Sequence, residues 1–486
     1  MSDADVLMLS VSGCRGIIGT SLTPDVTACF ASAFAQWLAA RPGKGNTPVT
    51  IVLGRDGRRG SDLFAGIARS ALLACGCDVI DLDIAMTPTV GVMVDQAGAD
   101  GGLMITASHN PQPLCGLKPI IRRPGLKAGV PDAAAPDKAT ADQIITRYHQ
   151  TAAPRVKDWR SLGHARVEPE LTHGHLGVVR RALGDATLKK LARLRTGAVI
   201  DNLGMSGATM SDWAVRTLCP AAVIEQLYES TGDLARTTDR GLFPHTPEPL
   251  KENLTALAKA VKKHGGDVGF AQDPDADRLA VIDERGVYIG EEYTLVLCAM
   301  ALGELGGIRK GDKIVVNLST SRMIEDVAAR YGAKVLRSAV GEANVVELMK
   351  KHKAAFGGEG NGGVIWPKVT YIRDSLSAMA LVLALMAKTR QPISKLVAGT
   401  PAYAIVKRKV ALASREIATA AGEKVARAYA SERVDRTDGV RVDLVAHRAW
   451  LHVRASNTEP IMRLIAEAPT IAEANAILDD AARVIG

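Results

Sequence analysis

The sequence predicts an α/β protein of several domains, and three observations support this fold class. The chain has 486 residues, more than one hydrophobic core usually supports, so about three to four domains are expected. Glycine contributes 46 residues and charged side chains 23% of the chain, as is usual for a globular protein. A segment with the order strand, polar turn, helix and strand occurs three times.

The first of these segments follows a predicted N-terminal helix that runs from Pro24 to about Ala40. Val49–Leu53 is an apolar run that predicts a strand, and residues 54–61 predict a polar turn ending in a helix cap. A helix and a further strand complete the segment. Similar segments occupy residues 198–224 and 313–336. Each is long enough for a right-handed crossover between parallel strands, so three related α/β domains are predicted.

Charge and composition restrict the possible partners. The net charge is +8, but lysine and arginine are spread along the chain and form no basic block. Only 4% of the residues are aromatic, which argues against a stacking surface for single-stranded nucleic acid. We therefore expect an anionic small-molecule substrate and no nucleic-acid or membrane partner.

The cysteines and the N-terminus predict a cytoplasmic protein. Seven cysteines are present, an odd number, and most lie within apolar patterns, as expected for reduced thiols. Cys75 and Cys77 have no second pair at the spacing of a zinc site. The chain shows no signal-peptide pattern and no apolar run of about 18 residues.

The most informative loop follows the apolar run Leu103–Ile105. Thr106–Pro111 places hydroxyl, imidazole and amide side chains before a proline, at the point where a buried strand would reach the edge of its sheet. Since these residues also form ordinary turns, the loop by itself does not distinguish a plain turn from a reactive site at Ser108.

A second polar loop offers a cation site. Asp273, Asp275 and Asp277 would repel one another strongly on one tight loop without a cation, and hard oxygen ligands suit Mg²⁺. Together with Glu284 they match part of an EF-hand. However, Arg278 stands where that loop requires glycine, and an apolar strand follows directly.

Two further loops complete the set. Gly357–Gly363 allows close backbone approach, while Glu359 and Asn361 can bind sugar hydroxyls; a flexible hairpin is the alternative. After a polar break at residues 388–399, a predicted strand leads into a loop suited to four-point capture of a phosphate. Its donors are Arg454, Ser456, Asn457 and Thr458.

These four loops in this order, preceded by Ser12–Gly16, resemble the α-D-phosphohexomutases, which interconvert hexose 1-phosphates and 6-phosphates through a phosphoserine. The resemblance spans nearly the whole chain. It implies three related α/β domains with mixed sheets and a smaller C-terminal α+β domain around a central active-site cleft. The expected boundaries give a phosphoserine, a metal-binding, a sugar-binding and a phosphate-binding domain at residues 1–160, 161–292, 293–400 and 401–486.

The resemblance also implies roles for the residues of the loops. Phosphorylated Ser108 would exchange its phosphoryl group with the sugar, giving a hexose 1,6-bisphosphate as intermediate and activator. The other implied catalytic residues are Arg15, Lys118 and His109. The implied Mg²⁺ ligands are Ser108, Asp273, Asp275 and Asp277, and the implied substrate-binding residues are Arg278, Glu359, Asn361, Arg454, Ser456, Asn457 and Thr458.

The chain departs from the family pattern at two places. Cys115 stands where an Asn-Gly-x-Lys motif has asparagine, although Lys118 is kept. Asn361–Gly363 replaces the commoner Ser-Gly-His at positions that contact the sugar, and this form favours glucosamine phosphate over glucose or mannose phosphate as substrate. A metal-dependent sugar-phosphate phosphatase and a non-catalytic sugar-phosphate sensor are the alternatives. A monomer or a dimer is expected.

Overall fold

The computed structural model describes residues 6–42, 47–228, 241–411, 415–455 and 461–485. These residues form four sheets of seven, four, four and five strands. Each sheet, with the helices that pack on it, makes one structural unit. Within the described ranges, no helix combines the length and the apolar character that crossing a membrane requires.

The first unit contains a mixed sheet with the strand order β1-β2-β6-β5-β3-β4-β7. Its strands are β1 (Met8–Ser10), β2 (Gly13–Ile17), β3 (Thr50–Arg55), β4 (Asp78–Ile84), β5 (Gly101–Ile105), β6 (Leu114–Ile121) and β7 (Ala165–Val167). Its helices are α1 (Pro24–Ala39), α2 (Ser61–Ala74), α3 (Thr87–Ala97) and α4 (Lys138–His149). Because β7 pairs in parallel with β4, the first sheet extends to residue 167.

The second unit has the strand order β11-β10-β8-β9, in which only β11 is antiparallel to its neighbour. Its strands are β8 (Gly197–Asp201), β9 (Val223–Leu227), β10 (Val268–Gln272) and β11 (Leu279–Asp283). Its helices are α5 (Gly174–Leu183), α6 (Asp185–Leu191), α7 (Ser211–Leu218) and α8 (Thr255–His264).

The third unit repeats this arrangement with the order β13-β12-β14-β15, and β15 is the antiparallel strand. Its strands are β12 (Lys313–Asn317), β13 (Lys334–Ser338), β14 (Phe356–Glu359) and β15 (Gly363–Ile365). Its helices are α9 (Glu291–Glu304), α10 (Met323–Arg330), α11 (Glu342–His352), α12 (Ser375–Thr389) and α13 (Ile393–Ala398).

The fourth unit differs from the others because its sheet is antiparallel throughout, in the order β16-β20-β19-β18-β17. Its strands are β16 (Ala404–Ala411), β17 (Arg433–Asp435), β18 (Val440–Leu444), β19 (Ala449–Ala455) and β20 (Ile461–Ala468). Two helices pack on this sheet, α14 (Arg415–Ala428) and α15 (Ile471–Ile485). The predicted fold class, three α/β units and a smaller α+β unit, is confirmed.

The three predicted strand–helix–strand segments are confirmed as parallel crossovers. β3 pairs in parallel with β4, β8 with β9 and β12 with β13. The predicted helix cap at Ser61 is wrong, because Gly60 is the N-cap and adopts a left-handed φ of 90°. The Ser61 hydroxyl instead donates to the backbone oxygen of Asp56 at 2.6 Å.

Units two and three share one hydrophobic core. Phe270 of β10, Leu297 of α9 and Leu383 of α12 all belong to it and are fully buried. Helix α12 is apolar around most of its circumference, as expected for a helix enclosed by protein on all sides. Its N-terminus therefore lies at a fixed place between the two sheets.

Candidate active site

Ser108 lies in the loop after β5 and has an unusual backbone. Its φ angle is 51°, in the left-handed region that few non-glycine residues adopt. Its N–H donates a hydrogen bond to the hydroxyl oxygen of Thr106 at 2.8 Å, and its carbonyl oxygen accepts one from the Arg58 guanidinium. The Ser108 Oγ donates to the Oδ2 of Asp273 at 3.0 Å, so the predicted nucleophile and the predicted metal loop meet.

The three aspartates of the second unit form one buried cluster. Asp273, Asp275 and Asp277 each offer an oxygen within 4.8 Å of the others, and all three are fully buried. Burial and the charges of Asp275 and Asp277 hold the pKa of Asp273 well above its usual range. The Oδ1 atoms of Asp275 and Asp277 are buried without a hydrogen-bond partner. Three convergent carboxylates with free oxygens are what a hard divalent cation such as Mg²⁺ requires.

The cluster is not part of an EF-hand, as predicted. Strand β11 begins at Leu279, immediately after the aspartates. Glu284, the twelfth position of that pattern, accepts hydrogen bonds from the backbone and side chain of Ser394 instead.

Residues of the first unit reach into this cluster. Lys118 of β6 lies 2.9 Å from Asp277 and 3.7 Å from Asp275. Burial alone would lower the pKa of Lys118, but the carboxylates of Asp277, Glu342 and Asp275 outweigh it and raise the pKa. Thr87, the first residue of α3, donates its hydroxyl to Asp275 at 2.7 Å. The site is therefore assembled between units one and two.

Arg373 is a central residue of the site that no motif predicted. It precedes α12, and its guanidinium donates to Asp277 at 2.6 Å and to Glu359 at 2.8 Å. Its Nε lies 3.6 Å from Glu342. Burial would raise the pKa of Asp277, but Arg373 and Lys118 hold it below its usual range. Arg373 thus joins the metal loop of unit two to the glycine-rich loop of unit three.

The glycine-rich loop is the hairpin between β14 and β15. Glu359 is held by Arg373, by the Asn317 amide at 2.8 Å and by the Gly341 N–H at 3.2 Å. The Oδ1 of Asn361 accepts the Gly363 N–H at 3.2 Å, which leaves its amide group available. Both predicted sugar-binding residues therefore lie on a rigid turn.

One glycine of this hairpin lies against the metal loop. Gly362 has a φ of 83°, and its carbonyl oxygen accepts the Leu279 N–H at 3.0 Å. A Cβ at this position would lie 2.4 Å from the Leu279 oxygen, so only glycine allows this approach. The hairpin alternative is correct as a description of the backbone, and this contact fixes the hairpin beside the aspartates.

The predicted cationic residues surround the Ser108 loop. Arg15 donates to the Asn110 side chain at 2.8 Å, and Arg278 lies 3.7 Å from Glu248. The Nε atoms of Arg15 and Arg278 are both buried without a hydrogen-bond partner, although the Arg278 Nε lies 3.9 Å from the Oδ1 of Asp277. Because buried donors are normally satisfied, these two guanidinium groups indicate a site for an anionic ligand.

His109 is a neutral neighbour of the nucleophile. Its Nδ1 lies 3.3 Å from the Ser108 Oγ. Burial, together with the nearby charges of Arg278 and Arg15, lowers the pKa of His109 to about 3. A neutral imidazole can accept a hydrogen bond from a hydroxyl group through its unprotonated nitrogen, which a protonated one cannot.

The predicted phosphate loop is described only at its start. Ser456, Asn457 and Thr458 lie outside the described residues. Arg454 is described, and its Nη1 lies 3.8 Å from Asp438 while its Nε is buried without a partner. Asp438 also accepts the Val340 N–H at 3.0 Å. Arg454 therefore lies at the junction of the fourth and third units.

The proline-rich connection after residue 241 packs on the Ser108 loop. The Gly241 oxygen accepts the Arg59 N–H at 2.9 Å, and the Phe243 N–H donates to Gln112 at 2.8 Å. The Nε2 of His245 lies 3.0 Å from the Oδ2 of Asp201, so His245 is a hydrogen-bonded loop residue. Burial would lower the pKa of His245, but the bond to Asp201 outweighs it and raises the pKa.

Family models of phosphoglucomutase/phosphomannomutase match the chain in four consecutive parts. The models of alpha/beta/alpha domains I, II and III match residues 8–154, 210–286 and 290–403, and the C-terminal domain matches residues 406–484. The order of the four models is the order of the four units.

Individual relatives cover almost the whole chain. A phosphoglucomutase/phosphomannomutase of Thermococcus kodakarensis is 31% identical over 96% of both chains. A probable phosphoglucosamine mutase of Methanopyrus kandleri is 29% identical over 96% of this chain and 95% of its own. A crystal structure of a phosphoglucomutase/phosphomannomutase family protein from Burkholderia thailandensis superimposes with a TM-score of 0.77, at 23% identity and 98% coverage of both chains.

The structural match supports the fold. The sequence relatives support the activity, because their similarity extends through all four units. The chain therefore belongs to the α-D-phosphohexomutase family of phosphoglucomutases and phosphomannomutases, and it is an intramolecular phosphotransferase.

Proposed function

We propose that this phosphohexomutase transfers the phosphoryl group through Ser108 and that glucosamine phosphate is its preferred substrate. The observation that carries the proposal is the contact between the Ser108 Oγ and Asp273, because a hydroxyl group beside a buried cluster of three carboxylates is suited to metal-assisted phosphoryl transfer. Phosphorylated Ser108 gives its phosphoryl group to a hydroxyl of the bound sugar phosphate. The resulting bisphosphate reorients in the site, so that its other phosphate faces Ser108, and returns that phosphoryl group to Ser108.

The chain's own side chains fill the roles that this transfer requires. Arg15 and Arg278 have unpaired buried Nε atoms and bind the transferring phosphoryl group. As the phosphoryl group leaves Ser108, the proton of the attacking hydroxyl passes to the Ser108 Oγ. Neutral His109, 3.3 Å from that oxygen, hydrogen-bonds to it, and Lys118 stabilises negative charge beside it. Asp273, Asp275 and Asp277, with an oxygen on Ser108, would hold Mg²⁺, which supplies neutralisation of the phosphoryl charge when bound.

The sugar and its distal phosphate are bound by the third and fourth units. Glu359 and Asn361 contact the sugar, and Arg454 binds the phosphate that is not reacting, together with Ser456, Asn457 and Thr458. Both phosphates must use this second site in turn, so it recognises phosphate without recognising the orientation of the sugar. We assign the four units to phosphoserine, metal, sugar and phosphate binding. The first boundary lies after β7, later than the expected residue 160, and the other two lie near residues 290 and 400.

The glucosamine assignment rests on the Asn361-Gly362-Gly363 form of the loop, which resembles the glucosamine-type members of the family. Because the Oδ1 of Asn361 is engaged by the Gly363 N–H, its NH2 group is left to donate to an oxygen atom of the sugar. The name of the Methanopyrus relative supports an amino sugar. Glucose and mannose phosphates are the alternative substrates.

Two measurements test this function. Intact-mass and peptide analysis of active enzyme is expected to find phosphate on Ser108, and Ser108→Ala is expected to abolish turnover. The 1-phosphates of glucosamine, glucose and mannose are then compared by kcat/KM, with inorganic phosphate measured in the same reactions. A fully active enzyme without phosphate on Ser108 and without added bisphosphate would disprove the phosphoserine route, and stoichiometric phosphate release would identify a phosphatase.

A further inference from the structure

The carboxylate of Asp56 lies beneath the Ser108 loop and organises it. Its Oδ2 accepts the Thr106 hydroxyl at 2.6 Å and the Arg58 Nε at 2.7 Å. Both donors continue to Ser108: Thr106 binds its N–H and Arg58 binds its carbonyl oxygen. Both polar groups of the Ser108 backbone are therefore connected to a single buried carboxylate.

Arg58 also fixes the far end of the same loop. Its Nη1 donates to the carbonyl oxygen of Leu114 at 2.7 Å, where β6 begins. All three kinds of guanidinium nitrogen are thus used, and the side chain is 1% exposed. The Phe243 ring covers the guanidinium at 5.2 Å. A lysine could not reproduce this planar, three-way arrangement.

These contacts hold the backbone of Ser108 in its left-handed conformation. A non-glycine residue leaves this conformation unless its surroundings hold it there. If the loop relaxed, the Oγ would move away from Asp273, although no contact of the Oγ itself had been removed. Small displacements of a reacting atom lower the rate much more than they change the affinity for substrate.

We propose that Asp56 and Arg58 are positioning residues for phosphoryl transfer, which act by holding Ser108 in its left-handed conformation. The inference rests on the proposed role of Ser108 as the nucleophile. It does not depend on which hexose is the substrate. Thr106 is the link between Asp56 and the Ser108 N–H.

The same unit supplies a matched control. Arg122 donates to Asp95 at 3.1 Å and to the carbonyl oxygens of Leu126 and Lys127, so it too is a buried arginine that holds a loop. None of these contacts involves Ser108 or the aspartate cluster. Arg122→Lys is therefore expected to lower Tm and to leave kcat within about twofold of the wild type.

The test compares kcat and KM, with glucose 1,6-bisphosphate kept saturating so that Ser108 stays phosphorylated. The assay uses whichever of the three hexose 1-phosphates gives the highest turnover. Arg58→Lys is expected to lower kcat by about 10- to 100-fold with KM within about twofold. Thr106→Val is expected to act in the same way, because it keeps the shape and removes the hydroxyl, and Thr106→Ser is expected to restore most of the rate.

Each outcome has a distinct meaning. The proposal is overturned if Arg58→Lys and Thr106→Val lose no more kcat than Arg122→Lys at a similar loss of Tm. Should Arg58→Lys not fold, the contrast between Thr106→Val and Thr106→Ser decides, and equal rates for the two reject the proposal. Full activity of Ser108→Ala would overturn the nucleophile assignment and the positioning role together, whereas an inactive Ser108→Ala with a fully active Thr106→Val rejects only the positioning role.

Discussion

The ammonium group of Lys118 lies 2.9 Å from the Oδ2 of Asp277, in direct contact with a carboxylate proposed to bind Mg²⁺. Lysine and metal thus compete for the same negative charge. Lys118→Met is expected to bind Mg²⁺ more tightly while turning over about 10- to 100-fold more slowly, since one cation near the ion is removed and the reacting oxygen loses its stabilisation.

The affinity is measured from the rise of Tm with Mg²⁺ concentration. Lys350→Met provides the control, because Lys350 lies 3.2 Å from Asp132 and has no contact with the aspartate cluster. Unchanged or weaker Mg²⁺ binding by Lys118→Met would contradict the competition.

Replacing Asp273 with asparagine is expected to stabilise the metal-free protein and to inactivate it. Burial and the neighbouring carboxylates hold the pKa of Asp273 well above its usual range, so its charge opposes folding at neutral pH. Removing that charge is therefore expected to raise the free energy of unfolding of the metal-free protein at neutral pH. Tm in EDTA should rise, the Tm response to Mg²⁺ should disappear, and turnover should fall by about 100-fold or more.

Asp142→Asn on the exposed face of α4 is expected to change none of these quantities, since the partner of Asp142 among the described residues is Lys138, at the surface of the protein. An Asp273→Asn protein that is less stable than the wild type in EDTA would show that the cluster is not under electrostatic strain.

Arg454 and Asn361 are expected to affect different kinetic properties. Arg454→Ala removes the charge-assisted contact to phosphate proposed above, about 1.5–3 kcal/mol, so kcat/KM should fall roughly 10- to 100-fold for every sugar alike. Asn361→Ser should instead change the ratio of kcat/KM between glucosamine and glucose phosphates more than their mean. If Arg454→Ala shifted the ratio and Asn361→Ser scaled both sugars equally, the two assignments would have to be exchanged.

His452 makes stability depend on pH. Its Nδ1 lies 2.9 Å from the Ser319 hydroxyl of unit three, and its Nε2 lies 2.7 Å from the Asp438 carbonyl oxygen. Burial lowers the pKa of His452 to about 4. Asp438 opposes this shift, whereas the charges of Arg441 and Arg454 lower the pKa further. An unfolded histidine has a pKa near 6.5, so the unfolded state takes up the proton first as the pH falls.

The neutral state of His452 therefore lowers the free energy of unfolding below about pH 6.5. The loss grows toward pH 4 and reaches about 2 kcal/mol at pH 5. Denaturant unfolding should show that the free energy of unfolding falls less between pH 7 and pH 5 for His452→Gln than for the wild type. His447→Gln, at an exposed position of the same unit, should lose as much stability as the wild type. Equal losses for all three proteins would exclude a buried neutral His452.

The sequence predicted the elements that depend on local pattern. The alternation of apolar runs and polar turns identified the three parallel crossovers. Ser108 and the three aspartates, predicted from polar loops beside apolar runs, do lie in loops that follow β5 and β10. Arg373, Glu342 and Asp56 were missed, although all three are central. Their importance comes from partners far along the chain: Arg373 binds Asp277, which is 96 residues away.

Distances of this kind depend on how the sheets pack, which no periodicity encodes. The polar turn after β3 illustrates the limit. Its composition correctly indicated a turn, but nothing in residues 54–61 indicates that Arg58 would reach the carbonyl oxygen of Ser108. The Ser61 prediction failed for a related reason, because its hydroxyl binds the Asp56 backbone and Gly60 takes the capping position.

The position of Arg373 limits how this protein could be recombined with its relatives. It neutralises an aspartate of unit two from the start of a helix in unit three, and the two units share one core. A chimera joined between them would pair the aspartate loop of one parent with the arginine of another, in a buried space where a misplaced charge is costly. Exchange of the glycine-rich loop alone would separate Glu359 from the same arginine. Units two and three therefore have to be exchanged together, and they need a first unit whose lysine matches Lys118, which lies 2.9 Å from Asp277.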